Sequence, residues 1–175
     1  MPPAGSPSPP AFRCAGETST QTTRIETEYL MTCQAPLDAP IVVDGTLQIF
    51  NVPSGGWAKG PKINGTFVAP GGDWLRAMPS GVFRLDVRAT LRTDDGADIF
   101  MSYNGVIQYS AEAAERLTKG EVLNDKDIPY FVTAPTFQTA SEKYAWLNGV
   151  QAVGKMVELK AGAGAYVKYD VFIVR

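Results

Sequence analysis

From Phe83 to Arg92 the residues alternate without a break. Phe83, Leu85, Val87, Ala89 and Leu91 fall on one parity, and Arg84, Asp86, Arg88, Thr90 and Arg92 on the other. Successive side chains of a strand point to opposite faces, so a run sorted this way describes a strand with one apolar and one charged face. The same period opens the folded region, where Ile25, Thr27, Tyr29, Met31 and Cys33 alternate with Glu26, Glu28, Leu30, Thr32 and Gln34. Further strands are predicted at about 46–52, 61–68, 97–108, 129–139, 144–154 and 165–174, where β-branched and aromatic residues gather between Gly, Pro and Asn. Thr93-Asp94-Asp95-Gly96 reads as a tight hairpin, with Asp-Gly supplying positive φ angles. One helix is predicted: Ser110 caps Ala111 to Leu117, and Gly120 stands where a left-handed terminator belongs. About eight antiparallel strands with one short surface helix leave unpaired edges unless the sheet closes, so the expected fold is a single all-β barrel, with room for one small ligand. The barrel is assigned to residues 23–175. Residues 1–22 carry five prolines in their first ten positions and then a Ser/Thr-rich stretch, and read as a flexible arm.

The residue inventory narrows the chemistry. Histidine is absent, which removes the commonest general base and the Ser-His and Cys-His pairs, and with only two cysteines, Cys14 and Cys33, no metal site is expected. Both cysteines read as free thiols. No GxGxxG or GxxxxGK[ST] frame accompanies Gly55-Gly56 or Gly162-Ala163-Gly164, so no nucleotide cradle and no cofactor are expected. Sixteen basic against 18 acidic residues argue against a nucleic-acid partner. With no apolar signal region after Met1 and no run long enough to span a bilayer, the expectation is a cytoplasmic protein without a membrane partner. An Asn64-Gly65-Thr66 sequon is then incidental. Catalysis, where present, falls to Asp, Glu, Tyr, Lys or Arg.

The charged face of the 82–93 strand has two readings. It is either solvated, or it lines a ligand cavity in which Asp86 sits between Arg84 and Arg88, an arginine being able to clamp a carboxylate or a developing enolate. Periodicity does not say which face is inside. Aromatic residues crowd the C-terminal half: Tyr103, Tyr109, Tyr130, Phe131, Phe137, Tyr144 and Trp146. On a strand, Trp146 and Asn148 would share one face. Most of these rings suit a core, and phenols and an indole beside an amide also suit a pocket for a flat, partly polar ligand.

Five stretches, in order, resemble the DUF3237 family, small proteins with a calycin-like barrel. They are Gly60-Pro61-Lys62-Ile63-Asn64-Gly65, Pro70-Gly71-Gly72-Asp73-Trp74, the run from Leu85 to Gly96, Tyr130-Phe131-Val132-Thr133-Ala134-Pro135, and Tyr144-Ala145-Trp146-Leu147-Asn148. The resemblance implies that Asp73, Trp74, Asp86, Arg88, Tyr130, Tyr144, Trp146 and Asn148 are among its signature positions. It also raises the cavity reading of the 82–93 strand to an even footing. The chain departs from the family pattern at Ala89, where a larger, often aromatic residue is expected.

Together with these residues, the resemblance implies a cofactor-free isomerase or cyclase acting on a phenolic or polyketide-like enone. Asp86 would be the base, Arg88 or Arg84 the enolate stabiliser, and Tyr103 or Tyr130 the proton donor. Trp146 would be the stacking wall, with Asp73, Trp74, Tyr144 and Asn148 completing the binding surface. The flanking arginines lower the basicity of Asp86; should it act only as a counter-ion, a tyrosine or Glu28 takes its place. A hydrolase or lactonase acting through an activated water, or a non-catalytic carrier of a small hydrophobic acid or phenol, are the alternatives. An exposed barrel wall also offers a surface for pairing into a homodimer.

Overall fold

A computed structural model describes residues 23–175. The expected N-terminal arm, residues 1–22, lies outside the described residues, as does Cys14. Twelve strands follow: β1 (Thr27–Pro36), β2 (Ile41–Val42), β3 (Leu47–Asn51), β4 (Gly55–Lys59), β5 (Asn64–Ala77), β6 (Phe83–Thr93), β7 (Asp98–Gln108), β8 (Val122–Asn124), β9 (Tyr130–Thr133), β10 (Thr136–Gln138), β11 (Ala152–Lys160) and β12 (Tyr166–Val174). Eight of them close an antiparallel barrel in the order β5, β6, β7, β9, β11, β12, β1, β4 and back to β5. The remaining four extend the wall, with β3 on β5, β2 on β3, β10 on β7 and β8 on β11.

Alternation decides what the barrel holds. On β6, Leu85, Val87, Ala89 and Leu91 point inward and are buried, while Arg84, Arg88 and Arg92 are exposed on the outer wall. Removing the apolar parity from water is worth roughly 1.5–3 kcal/mol per large side chain, and desolvating the charged parity would cost more, so this face sorting is dictated by energetics. Val167, Tyr169, Val171 and Ile173 of β12 face inward by the same rule.

The Thr93–Gly96 hairpin forms, with a geometry different from the expected one. Only Gly96 has a positive φ, +87°, and no non-glycine residue does. The Gly96 amide donates to the Thr93 carbonyl at 2.9 Å, and the Thr93 amide to the Ala97 carbonyl at 2.9 Å. This is a longer loop closed by one left-handed glycine, and it spares Asp95 the strained conformation that a two-residue Asp-Gly turn would impose. The predicted helix, α1 (Ala111–Thr118), is present, and the Ser110 hydroxyl accepts the Ala113 amide at 3.1 Å.

Three strand assignments need correction. The strand expected at 61–68 is β5, which starts at Asn64 and continues through Pro70-Gly71-Gly72 to Ala77. The segment expected at 129–139 is two short strands interrupted at Ala134-Pro135, where proline removes a ladder donor. The strand expected at 144–154 is a 3₁₀ helix, Glu142–Gly149, and β11 starts only at Ala152. Its buried residues, Tyr144 and Leu147, stand three apart, which is the 3₁₀ repeat. The aromatic residues that suggested a strand are there to pack a helical plug. β4 escaped the sequence reading because its Gly55-Gly56 pair has neither strand propensity nor alternation.

Candidate functional site

The two ends of the barrel differ. Towards the end covered by the 3₁₀ helix, the interior is filled by Met31, Ile63, Phe67, Leu91, Ile99 and Phe137, with no room for water among them. The helix is fastened there by Asp95 in the hairpin. The Asp95 carboxylate accepts from the Thr93 hydroxyl (2.5 Å), the Tyr144 hydroxyl (3.1 Å) and the Lys143 ammonium (2.5 Å), led by the lysine in lowering its pKa to about 2. Asn148 bonds both ways with the Thr139 backbone, through its oxygen at 2.8 Å and its amide nitrogen at 3.0 Å. Trp146 is half-buried with the Lys62 ammonium 5.5 Å above its ring. Tyr144 and Asn148, read from sequence as ligand contacts, tie down the plug through these bonds, and Tyr144 and Trp146 also line an outer pocket of about 540 Å³ with Lys62, Asn64, Asp95 and Lys143. Trp146 and Asn148 share no strand face, because they lie on no strand.

At the opposite end, inward-facing Phe50, Leu75, Ala77 and Phe83 keep part of their surface exposed, so this end is the mouth. Below it the interior becomes polar. Phe50, Asp73, Val87 and Tyr103 form one registered row across β3, β5, β6 and β7. A bulge between Val68 and Gly72 adds two residues to β5, which places Asp73 opposite Val87 and so in line with Tyr103. The Pro70-Gly71-Gly72 sequence supplies the backbone for that bulge. Without the insertion, position 73 would face Leu85 and, beyond it, Gly105, a residue with no side chain.

Asp73 is the outlier of the interior. Its Oδ1 is buried and has no hydrogen-bond partner. Burial raises its pKa from 3.8 to about 7; the backbone amide of Asp86 pulls the other way and the Asp86 charge adds a smaller push upward. Tyr103 and Tyr169 are buried beside it as a T-shaped pair with ring centroids 6.1 Å apart, and Tyr169 packs edge-on to Phe131 at 5.5 Å. Burial, followed by neighbouring ionisable groups that include Asp73, pushes both phenols well above their ordinary value, so both remain protonated. Cys33 completes the group as a buried free thiol, raised to about 12 chiefly by desolvation. Thr133 fits between Gly105 and Gly154 of the flanking strands; a Cβ at Gly154 would lie 2.4 Å from its hydroxyl. The arrangement places one carboxyl that titrates near neutrality beside two phenolic donors, all in a low-dielectric interior.

The charged face of β6 does not reach this interior. Asp86 and Arg88 pair with each other on the outer wall at 2.6 Å, and the Arg88 guanidinium lies 5.9 Å from the centre of the Trp74 ring, also outside. The solvated reading of that face is the one realised, and a cavity lined by Asp86, Arg88 and Trp74 is not. Arg84 and Tyr130 face outward too, and meet Asp86 in a groove of about 540 Å³. Glu28, the alternative base, is an outer carboxylate held by Lys62 (2.9 Å) and Arg175 (2.6 Å) and lowered to about 2, with the Lys62 hydrogen bond the largest cause. Of the residues selected from sequence, Asp73 and Tyr103 come together inside. Tyr169 was missed, although the alternation of β12 already placed it on the inward parity.

Among the described residues no group of three or more His, Cys, Asp or Glu side chains is gathered as a metal site, and no helix is long and apolar enough to cross a membrane.

An eight-stranded antiparallel barrel with a polar, titratable interior near one mouth is the class of protein that this geometry defines. The chain belongs to the DUF3237 family of proteins of unknown function, whose model matches residues 25–174. A UPF0311 protein of Clostridium acetobutylicum is 33% identical over 125 residues, covering 69% of this chain and 78% of that protein. A UPF0311 protein of Rhodopseudomonas palustris is 31% identical over 137 residues, 76% of this chain and 88% of its own length. A crystal structure of a conserved R. palustris protein of unknown function superposes with a TM-score of 0.77 at 29% identity, covering 89% of this chain and all of that one. The hydroalkoxylation enzyme phnH of Penicillium herquei is 30% identical over 112 residues, 63% of this chain and 58% of the enzyme.

Proposed function

We propose that this protein is a cofactor-free cyclase that adds a phenol or enol O–H across a conjugated C=C bond, with Asp73 as the acid–base group. The observation that carries this reading is the half-buried Asp73 carboxyl, its Oδ1 buried and unpaired, on the same inward row as Tyr103 and in the interior that also holds Tyr169. The likeness to a hydroalkoxylation enzyme supports the reaction class, because hydroalkoxylation is the addition of an O–H across an alkene.

Ionised Asp73 takes the proton from the substrate hydroxyl, and the oxygen attacks the β-carbon of the enone. Electron density moves to the carbonyl oxygen, where Tyr103 and Tyr169 donate hydrogen bonds to the developing enolate. Their raised pKa values keep the protons on the phenols, and fixed donors in a dry interior stabilise developing charge more than water does. Asp73 then returns its proton to the α-carbon, so the product is an isomer of the substrate and nothing is consumed. Partial burial tunes Asp73 to near neutral pH, where a general base is most effective. The barrel wall fixes the face of attack.

The test is to incubate the protein with phenolic enones in D2O and analyse the products by mass and by chiral chromatography. An isomeric product with one enantiomer in excess and one deuteron at the α-carbon is expected, with Asp73→Asn slowing turnover by ~10²-fold or more. Incorporation of labelled solvent oxygen would replace this reading with the hydrolase, and stoichiometric binding with no product would replace it with the carrier.

A further inference from the structure

The outer wall carries a feature that the interior chemistry does not use. Arg76 of β5 and Arg84 of β6 are direct register partners and both are exposed on the outside. Two like charges opposite each other on paired strands repel. The other outward arginines of β6 are neutralised, Arg88 by Asp86 at 2.6 Å and Arg92 by Asp98 at 2.8 Å. Arg76 and Arg84 make no ion pair or hydrogen bond among the described residues. The chain as a whole has a formal charge of −2, so two uncompensated guanidinium groups gathered at one register position run against the composition.

They stand at one side of the 540 Å³ groove, which has an apolar floor of Val106, Val132 and Val153. Tyr130 rises from it half-exposed, and Asn104 spends its amide on the Leu85 carbonyl at 3.3 Å, leaving its side-chain oxygen free. Lys155, the register partner of Val132, adds a third cation beside the groove with its ammonium on the Pro129 carbonyl at 2.6 Å.

We infer that this groove is a binding site for an aromatic carboxylate, distinct from the barrel interior. The paired guanidinium groups hold the carboxylate, each offering a planar fork of donors that matches it. The ring lies on the valine floor against Tyr130. The anion removes the Arg76–Arg84 repulsion, which is the source of the site's selectivity for charge.

The probe is 2-naphthoate, with 2-naphthamide as its neutral counterpart, titrated into the full chain and followed by calorimetry and by amide chemical shifts. One naphthoate per chain is expected, with shifts confined to residues near 84–86, 104–106 and 130–133. Arg76→Ala and Arg84→Ala should each weaken binding by 10-fold or more, Arg84→Lys should recover part of it, and 2-naphthamide should not saturate. Naphthoate binding equal to wild type in both alanine variants, or equal affinity for the amide, would overturn the inference. Asp73→Asn separates the two sites: unchanged naphthoate affinity in that variant assigns the probe to the groove, and a changed affinity, a gain from the lost carboxylate repulsion included, moves the probe to the interior and refutes the outer site.

Discussion

Asp73 carries a cost in stability that can be measured without knowing the substrate. Its carboxyl ionises near 3.8 in the unfolded chain and near 7 in the folded one. Between these values the folded state holds a proton that the unfolded state has lost, so stability falls as pH rises through this window and levels off above it. The full rise corresponds to about 4 kcal/mol, since each pH unit is worth about 1.4 kcal/mol. Asn has nearly the same shape and no charge. Asp73→Asn should match wild type at pH 4 and exceed it at pH 8.5 by an amount approaching that figure, or roughly 8–16 °C in midpoint for a domain of this size. Urea unfolding of both proteins between pH 4 and 9 isolates the effect, because every other titrating group cancels in the difference. Parallel stability profiles would show that the carboxyl is not desolvated, and the argument for a base tuned by burial would fall with it. A difference of the opposite sign would mean that a partner holds Asp73 ionised.

Turnover should track the same group, rising with pH through about 7 as Asp73 ionises; a flat pH–rate profile from 5 to 9 would exclude it as the base. Tyr103→Phe removes one enolate donor and should slow turnover by ~10²-fold with little change in substrate affinity, read from kcat and KM. Arg88→Ala should leave turnover at the wild-type level, because Arg88 is paired outside the barrel; a large loss would return the outer face to the mechanism. Gly154→Ala should destabilise the barrel by ~1–3 kcal/mol in urea, since the new Cβ would overlap the Thr133 hydroxyl.

The sequence made the barrel legible because its strands bury one parity and solvate the other. β6, β7 and β12 could be placed to within a residue or two from alternation alone. The site was less legible for a physical reason. In a wall that separates an apolar interior from water, charged residues alternate on the solvent side, so the densest charge pattern, Arg84 to Arg92, marks the outside. The candidate carboxyl lies instead on an inward parity that is otherwise apolar. The two-residue bulge in β5 keeps Asp73 on the same inward parity as Phe67 and moves it along the wall to face Val87, and the resemblance to a family supplied that position where alternation did not. Tyr169 was hidden among the apolar residues of β12 because a phenol satisfies the same pattern as a valine.

The plug gives Asp95, Tyr144 and Asn148 a structural role, and it makes a last prediction. Asp95 is lowered from 3.8 to about 2 by Lys143, Thr93 and Tyr144. A depressed carboxyl contributes stability that is present in full above its unfolded pKa and is lost as pH falls towards its folded value, here from about 4 down to about 2. Wild type should therefore lose stability over that range more steeply than Asp95→Asn, whose amide cannot ionise. Tyr144→Phe should loosen the same end of the barrel, seen as faster amide exchange in the 3₁₀ helix and the hairpin, while the exchange of Tyr103 and Tyr169 stays slow. If exchange at the mouth rises equally, the two ends are not independent, and the plug would have to be counted as part of the site's own support.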